Sequence, residues 1–365
     1  MNKGKKIVIL MGIFLIVIFG MSPQGKEIFF LNQQNTTLEI VNEIDKGPQD
    51  EQIQFNEGLV HYSNESLFFY GRDGKEQWKV ELGFNSPILK ASTDYIYLFD
   101  QGTNQLVSLN NTGEIEYRYT IEGNMIAVYP GDEKFIALKE RTNKGDRVLV
   151  LDVEGKAVYK ISKENSHIGN VYIQENKNKI FVNTIFFDDG SLSNKIEVYC
   201  VSDHKLLETM DIKDHINYEI YSNINNDLVF INDKSIFLYK NNKINWTHEI
   251  NKIAALNKVG GDQVVFYGVK DGETALFTKE AYKFMFIDMK GNIQAVEGLE
   301  EKSILGVDSN EDLVLAYSQD MLYLINKKGE IINRYRYNKD ITDAYIQSSE
   351  DFIIVTDDKI YFVKI

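Results

Sequence analysis

The dipeptide Asp73-Gly74, inside Leu67-Phe68-Phe69-Tyr70-Gly71-Arg72-Asp73-Gly74-Lys75-Glu76-Gln77-Trp78-Lys79-Val80, constrains this chain more than any other feature. Apolar and aromatic residues flank the pair that best tolerates positive φ, which predicts a strand, a tight turn and a return strand. The pattern recurs along the chain. Turns fall at Gly74, Gly113, Gly155, His204, Asn242, Gly291 and Gly329, at intervals of 39, 42, 49, 38, 49 and 38 residues. His204 stands where glycine is expected, and Asn242 is a substitute that tolerates the left-handed region. A period of about 40 residues with four short strands per unit belongs to propeller blades.

In most units the four strands are visible: after the Trp78 strand come 88–91, then 95–99, then the next hairpin. The chain finishes with 352–355 and 360–365, a second and a third strand without a fourth. Near the start, residues 37–44 alternate as a strand with no unit of their own. Placed as the outer strand of the last unit, they close a ring and remove an open edge. The expected fold is all-β, an eight-bladed antiparallel β-propeller over residues 37–365. A seven-bladed ring with the first strand as decoration is the alternative. Trp78, Tyr117, Tyr159 and Trp246 each lie four residues beyond a turn residue, which predicts a wedge between neighbouring sheets.

Lys3, Lys5 and Lys6 precede fifteen uncharged, almost wholly apolar residues at 7–21. A positive segment before an apolar run starts both signal peptides and signal anchors. The run covers ~22 Å as a helix, short of a ~30 Å hydrocarbon core, and lysine snorkelling with bilayer thinning makes up the difference. Pro23 follows the small residues at 20–22 where a cut would fall, so a retained transmembrane helix at 1–21 is preferred to a cleaved signal. A polar stalk at 22–36 follows. The flanking lysines put the N-terminus in the cytoplasm and the propeller outside a single-pass cell-membrane anchor.

The formal net charge is −14, and beyond the first six residues 37 basic side chains face 54 acidic ones. That balance repels phosphate backbones, so no nucleic-acid partner is expected. Cys200, the only cysteine, permits no internal disulfide and is expected as a small buried hydrophobe in a strand. The five histidines, His61, His167, His204, His215 and His248, show no metal-ligand spacing, so no metal is expected. There is no G-x-S-x-G, Walker A or H-E-x-x-H pattern.

Gly74-Lys75-Glu76-Gln77-Trp78 resembles the Gly-Lys-x-x-Trp that ends the repeat of quinoprotein-like (PQQ-type) β-propellers. Leu151-Asp152 with Gly155-Lys156 is similar to the Leu-Asp-x-x-x-Gly-Lys version. The likeness extends over about residues 37–365, and the whole chain resembles the membrane-anchored, uncharacterised bacterial members. Units four, six and seven lack the tryptophan. The adjacent-cysteine pair that covers the quinone in the dehydrogenases is impossible with one cysteine, so the resemblance does not carry a cofactor.

Loops joining second and third strands vary most, and on a rigid scaffold such loops carry binding. The candidate binding-face residues are Asp100, Asn104, Arg141, Arg147, Asp188, Asp189, Asp271, Glu273, Asp357 and Asp358. Asp188-Asp189-Gly190 and Asp271-Gly272-Glu273 offer oxygen ligands but lack the calcium-loop spacing, so solvated turns are expected. The expected function is a non-enzymatic binding or scaffold module outside the membrane, with a protein or cell-envelope partner. The alternatives are a quinoprotein-type oxidoreductase or hydrolase with a site in the central channel, and a sensor of cell-wall fragments or ions.

Overall fold

The computed structural model describes residues 38–365 apart from 132–133, 189–190, 214–216, 224, 271–281, 298 and 300–302; of 188, 191, 213, 217, 218 and 270 it describes the backbone alone. The expected anchor at 1–21 and stalk at 22–36 lie outside the described residues. The domain is an all-β propeller. Among the described residues the only helical element is a 3₁₀ turn, Glu175–Lys177.

Among the described residues seven hydrogen-bonded sheets form. Six have four antiparallel strands each, and the seventh has seven. The seventh is longer because the 17-residue strand Lys243–Val259 serves two neighbours. Residues 243–249 pair with Ser235–Lys240, and 250–259 pair with Gln263–Lys270. Register shifts between Ile250 and Lys252 and between Ile253 and Ala255 mark the change of partner. Bulges of this kind bend and twist a strand, which is how one segment can follow two sheets. The two 49-residue intervals acquire causes here. One contains the long hairpin Lys179–Asp188 with Ser191–Cys200, and the other contains this shared strand and residues 271–281.

The strand near the start does close the ring. Glu39–Asp45 pairs antiparallel with Lys359–Lys364, with Glu39 opposite Lys364 and Asp45 opposite Lys359. Asn42 Nδ2 donates to Gly74 O at 2.5 Å, and the Lys359 ammonium pairs with Glu43. Ile44 packs against Leu59, Ile353, Val355, Ile360 and Phe362, so the first and last units share one apolar cluster. Past the closing strand, Asp50 Oδ2 accepts the Gly47 N–H at 2.8 Å and lies 3.0 Å from Nε2 of His61, which is 1% exposed. Burial lowers the His61 pKa, against the opposing pull of Asp50.

The core lies between sheets. Second and third strands such as Leu228–Asn232 and Ser235–Lys240 are buried almost throughout, whereas outer strands such as Glu76–Glu81 and Ile115–Thr120 are exposed at alternate positions. A strand covered on both faces reads as an apolar run, and one at an edge alternates. The expected wedge is present. A Cβ on Gly113 would lie 2.7 Å from Trp78 Cδ2, and one on Gly155 would lie 2.5 Å from Tyr117 Cδ2. Trp246 covers Gly291 in the same way, and Tyr159 stacks on His204 with centroids 4.5 Å apart. Asn110, Asp152, Asp288 and Asn326 tie these turns by accepting two downstream backbone N–H groups on Oδ1. His204 and Asn242 adopt φ of 57° and 59°, so both replace glycine in its left-handed conformation.

Cys200 corrects the sequence reading. It is half-buried at the end of Ser191–Cys200, with Sγ 3.4 Å from Ser202 Oγ and 3.5 Å from Asn178 Nδ2. The strand ends there, and the last residue turns toward the polar turn instead of the apolar cluster. The Ser202 hydroxyl lowers the thiol's pKa.

Candidate functional site

An up-and-down sheet puts its first–second and third–fourth turns on one face, the turn face. Its second–third loops share the other face with the connections between sheets. The candidate residues belong to this connection face, and most of those described are engaged in holding it.

Asp100 ends Tyr95–Asp100 with no exposed surface. Its Oδ2 accepts the Thr103 N–H at 3.0 Å and hydroxyl at 2.6 Å, and Oδ1 accepts the Ser86 N–H at 3.1 Å. Burial pushes this carboxyl up, and the Thr103 hydroxyl and surrounding amides outweigh it, leaving the pKa below the usual range. Asn104 occupies φ 53°, and its carbonyl accepts the Ile121 N–H at 3.0 Å. Arg141 and Arg147 sit on the hairpin of Ile136–Thr142 and Gly145–Leu151. Arg147 Nε and Nη2 each lie 2.5 Å from Glu140, and Arg141 Nε lies 2.7 Å from Asp146 Oδ1. Each pair is a directly opposed cross-strand pair, so both arginines brace the hairpin. Asp146 also accepts the Ile168 N–H of the next sheet at 2.9 Å.

Asp188 pairs with Ser191 at the hairpin end. Asp189, Asp271 and Glu273 lie outside the described residues. Asp357 is exposed. Asp358 Oδ1 accepts the Thr356 hydroxyl at 2.9 Å, which lowers its pKa with help from nearby Lys339, and its carbonyl accepts the Lys46 N–H at 2.8 Å. Lys339 bonds the Tyr361 hydroxyl and lines a cleft with Asp320, Arg336, Tyr337, Asn338 and Asp340. Sequence reasoning missed this cleft. Its signal was the mixed-charge connector 336–340 between two units.

The inner strands carry a second polar group of residues. Neighbouring first strands touch one another from Glu51–Phe55 through Pro87–Ala91, Asn124–Pro130 and His167–Gln174 to Asn217–Ser222. Gly306–Ser309 touches Lys243–Val259 on one side and Asp343–Ile346 on the other. Gln54 Nε2 donates to Ile346 O at 2.7 Å and joins the last inner strand to the first. Asp308 Oδ2 accepts the Ile346 N–H at 2.8 Å. Asp343 accepts hydroxyls from Tyr317 at 2.8 Å and Tyr345 at 2.6 Å. Burial pushes the Asp308 pKa up to about 6, with backbone donors opposing and Asp343 adding to the rise. Burial also raises Glu219, against the opposing charge of Lys90 three inner strands away. Gln54, Asp308 and Asp343 bridge neighbouring sheets.

Both tryptophans are committed between sheets, Trp78 Nε1 to Asn111 O and Trp246 Nε1 to Met289 O, each at 3.1 Å. Neither offers an aromatic face at the inner strands, so these residues do not fit the quinone of the PQQ-type enzymes. Among the described residues no three His, Cys, Asp or Glu side chains gather as a metal site.

Radial four-stranded units, inter-sheet aromatic wedges and a terminal strand that completes the last unit define a β-propeller. The chain belongs to DUF5711, a family of unknown function, whose model matches residues 31–365. Similar solved structures include the C-terminal WD40 domain of Sif2, at 13% identity and a TM-score of 0.63, covering 90% of this chain and 98% of that one. BamB from Moraxella catarrhalis matches at 12% identity and a TM-score of 0.57, covering 90% and 100%. The Dos1 propeller matches at 10% identity and a TM-score of 0.57, covering 90% and 95%. At these identities the likeness concerns the fold. The comparison with curated proteins gives no match.

Proposed function

We propose that this chain is a non-enzymatic binding or scaffold module, an eight-bladed propeller held outside the cell membrane by residues 7–21. The observation that carries the reading is how the polar residues at the inner strands and connection face are used. Asp308, Asp343, Asp100, Glu140 and Asp146 each accept hydrogen bonds or ion pairs from their own or the next sheet. Carboxylates employed as braces leave a rigid ring whose exposed loops, Asp357 and Asp358 among them, meet a partner. Eight apolar clusters among the described residues, each straddling neighbouring four-strand units, support the proposed count of eight, with Lys243–Val259 shared by two units.

Fractionation tests the placement: the full-length protein should remain in the membrane pellet after a salt wash, and protease added to intact cells should degrade the ring. A soluble product shortened to begin near Ser22 would refute the anchor. Incubation with quinone and metal, followed by absorbance and dye-reduction measurements, tests the activity. Stoichiometric quinone uptake would overturn the non-enzymatic reading.

A further inference from the structure

The turn face carries a cationic cleft that neither the candidate loops nor the inner strands account for. It lies between the sheet of His167–Gln174 and that of Asn217–Ser222. Its lining includes Lys177, Lys179, Lys240 and Asp227, three ammonium groups against one carboxylate in a chain of net charge −14. Lys240 is 2.8 Å from Asp227, and Lys177 Nζ donates to Asn226 O at 2.7 Å. The half-buried Lys179 has no side-chain partner among the described residues. The cavity measures about 110 Å³. At about 30 Å³ per water, that is room for a few waters or one phosphate group.

Exposed apolar side chains flank the cleft. Leu206 and Leu207, 51% and 52% exposed, begin the outer strand of one sheet, and Ile244, 54% exposed, begins that of the next. Tyr239, which lines the cleft, donates to Glu208 at 2.5 Å and so ties it to the Leu206–Lys213 strand. The closing strand enters the ring on this same face, because Glu39 lies opposite Lys364 at the end of the last third strand. Ile40 and Val41, each 50% exposed, stand beside that entry. Along the order of inner strands, the entry and the cleft fall on nearly opposite sides of the ring.

We propose that the turn face lies on the lipid surface, with the Lys177–Lys179–Lys240 cleft taking a phospholipid phosphate and Leu206, Leu207 and Ile244 entering the interface. This rests on the reading that residues 7–21 tether the ring to a membrane. Lysines beside exposed leucine and isoleucine match a surface that is anionic at its headgroups and apolar beneath. The tether makes the second contact intramolecular, so modest affinity suffices.

The test uses the full-length chain reconstituted in phosphatidylcholine–phosphatidylglycerol vesicles, with a polarity-sensitive dye on Cys200, the sole cysteine. Headgroup spin-labelled lipid should quench the dye strongly. Lys177→Ala with Lys179→Ala should lower the ratio of docked to free rings about thirtyfold, from roughly five- to sixfold per basic residue near an anionic surface. Leu206→Ser with Leu207→Ser, at exposed positions, should also reduce quenching while leaving the melt unchanged. Equal quenching in all three proteins would overturn the proposal. Unquenched dye on protein that sediments with vesicles would overturn it while sparing the tether. Protein that stays in the supernatant would instead reject the tether reading and the proposal with it. Inorganic phosphate that shifts the dye of wild type and not of the lysine variant, without vesicle quenching, would replace the lipid with a soluble ligand and overturn the assignment.

Discussion

The wedge between units yields a prediction whose size follows from two glycines. Gly113 and Gly83 have φ of 82° and 71°, so alanine at either incurs the same left-handed penalty, about 1 kcal/mol. Their surroundings differ. A Cβ at Gly83 meets nothing within 4 Å, whereas one at Gly113 meets Trp78 Cδ2 at 2.7 Å, Cε3 at 2.9 Å and Cγ at 3.1 Å. Relieving that contact moves an indole whose Nε1 already bonds Asn111 O at 3.1 Å, and overpacking of this kind costs about 1–3 kcal/mol. Gly113→Ala is therefore expected to lose about 2–4 kcal/mol and Gly83→Ala about 1 kcal/mol. Urea unfolding followed by circular dichroism measures both, and tryptophan emission reports the displaced Trp78. In a Trp78→Ala background the excess cost of Gly113→Ala should vanish, since a double-mutant cycle isolates the pair. Equal losses at the two glycines, or no coupling to Trp78, would refute the wedge.

Three further outcomes follow. Deleting residues 38–44 removes the partner of Lys359–Lys364 and the contacts of Ile44, so the whole ring should melt earlier and expose an aggregation-prone edge; unchanged melting would show that closure adds nothing. Arg147→Met leaves Glu140, 1% exposed, without its fork and should cost about 3–5 kcal/mol, with Glu140→Gln on top recovering part of it in thermal unfolding. Asp308 binds its proton more tightly folded than unfolded, so its contribution is full below about pH 4 and is lost as pH rises through about 6. That rise amounts to about 3 kcal/mol at most, so the Asp308→Asn difference in stability from wild type should shift over this window and level off above it.

Much of the ring was legible because its turns carry chemistry at regular intervals. Asp152 with Gly155, Asn110 with Gly113 and Asn326 with Gly329 each satisfy the same local hydrogen bonds, so pattern and structure coincide. The closing strand was legible for a different reason: 37–44 alternates as an outer strand and had no unit to join. Function-bearing geometry was less visible. Arg141 and Arg147 looked like loop cations, and only the register that sets them opposite Asp146 and Glu140 reveals them as braces. The cleft of Lys177, Lys179 and Lys240 draws on two sheets and on segments far apart in the chain, so no local motif announces it. Cys200 misled because alternation places a residue on a face and says nothing of where the strand stops.

The antiparallel pairing of Glu39–Asp45 with Lys359–Lys364 also determines how the molecule bears force. A pull applied along the axis of Glu39–Asp45 shears the whole register together. Peeling would break one rung at a time. A tugged ring thus resists at its joint with every rung loaded at once.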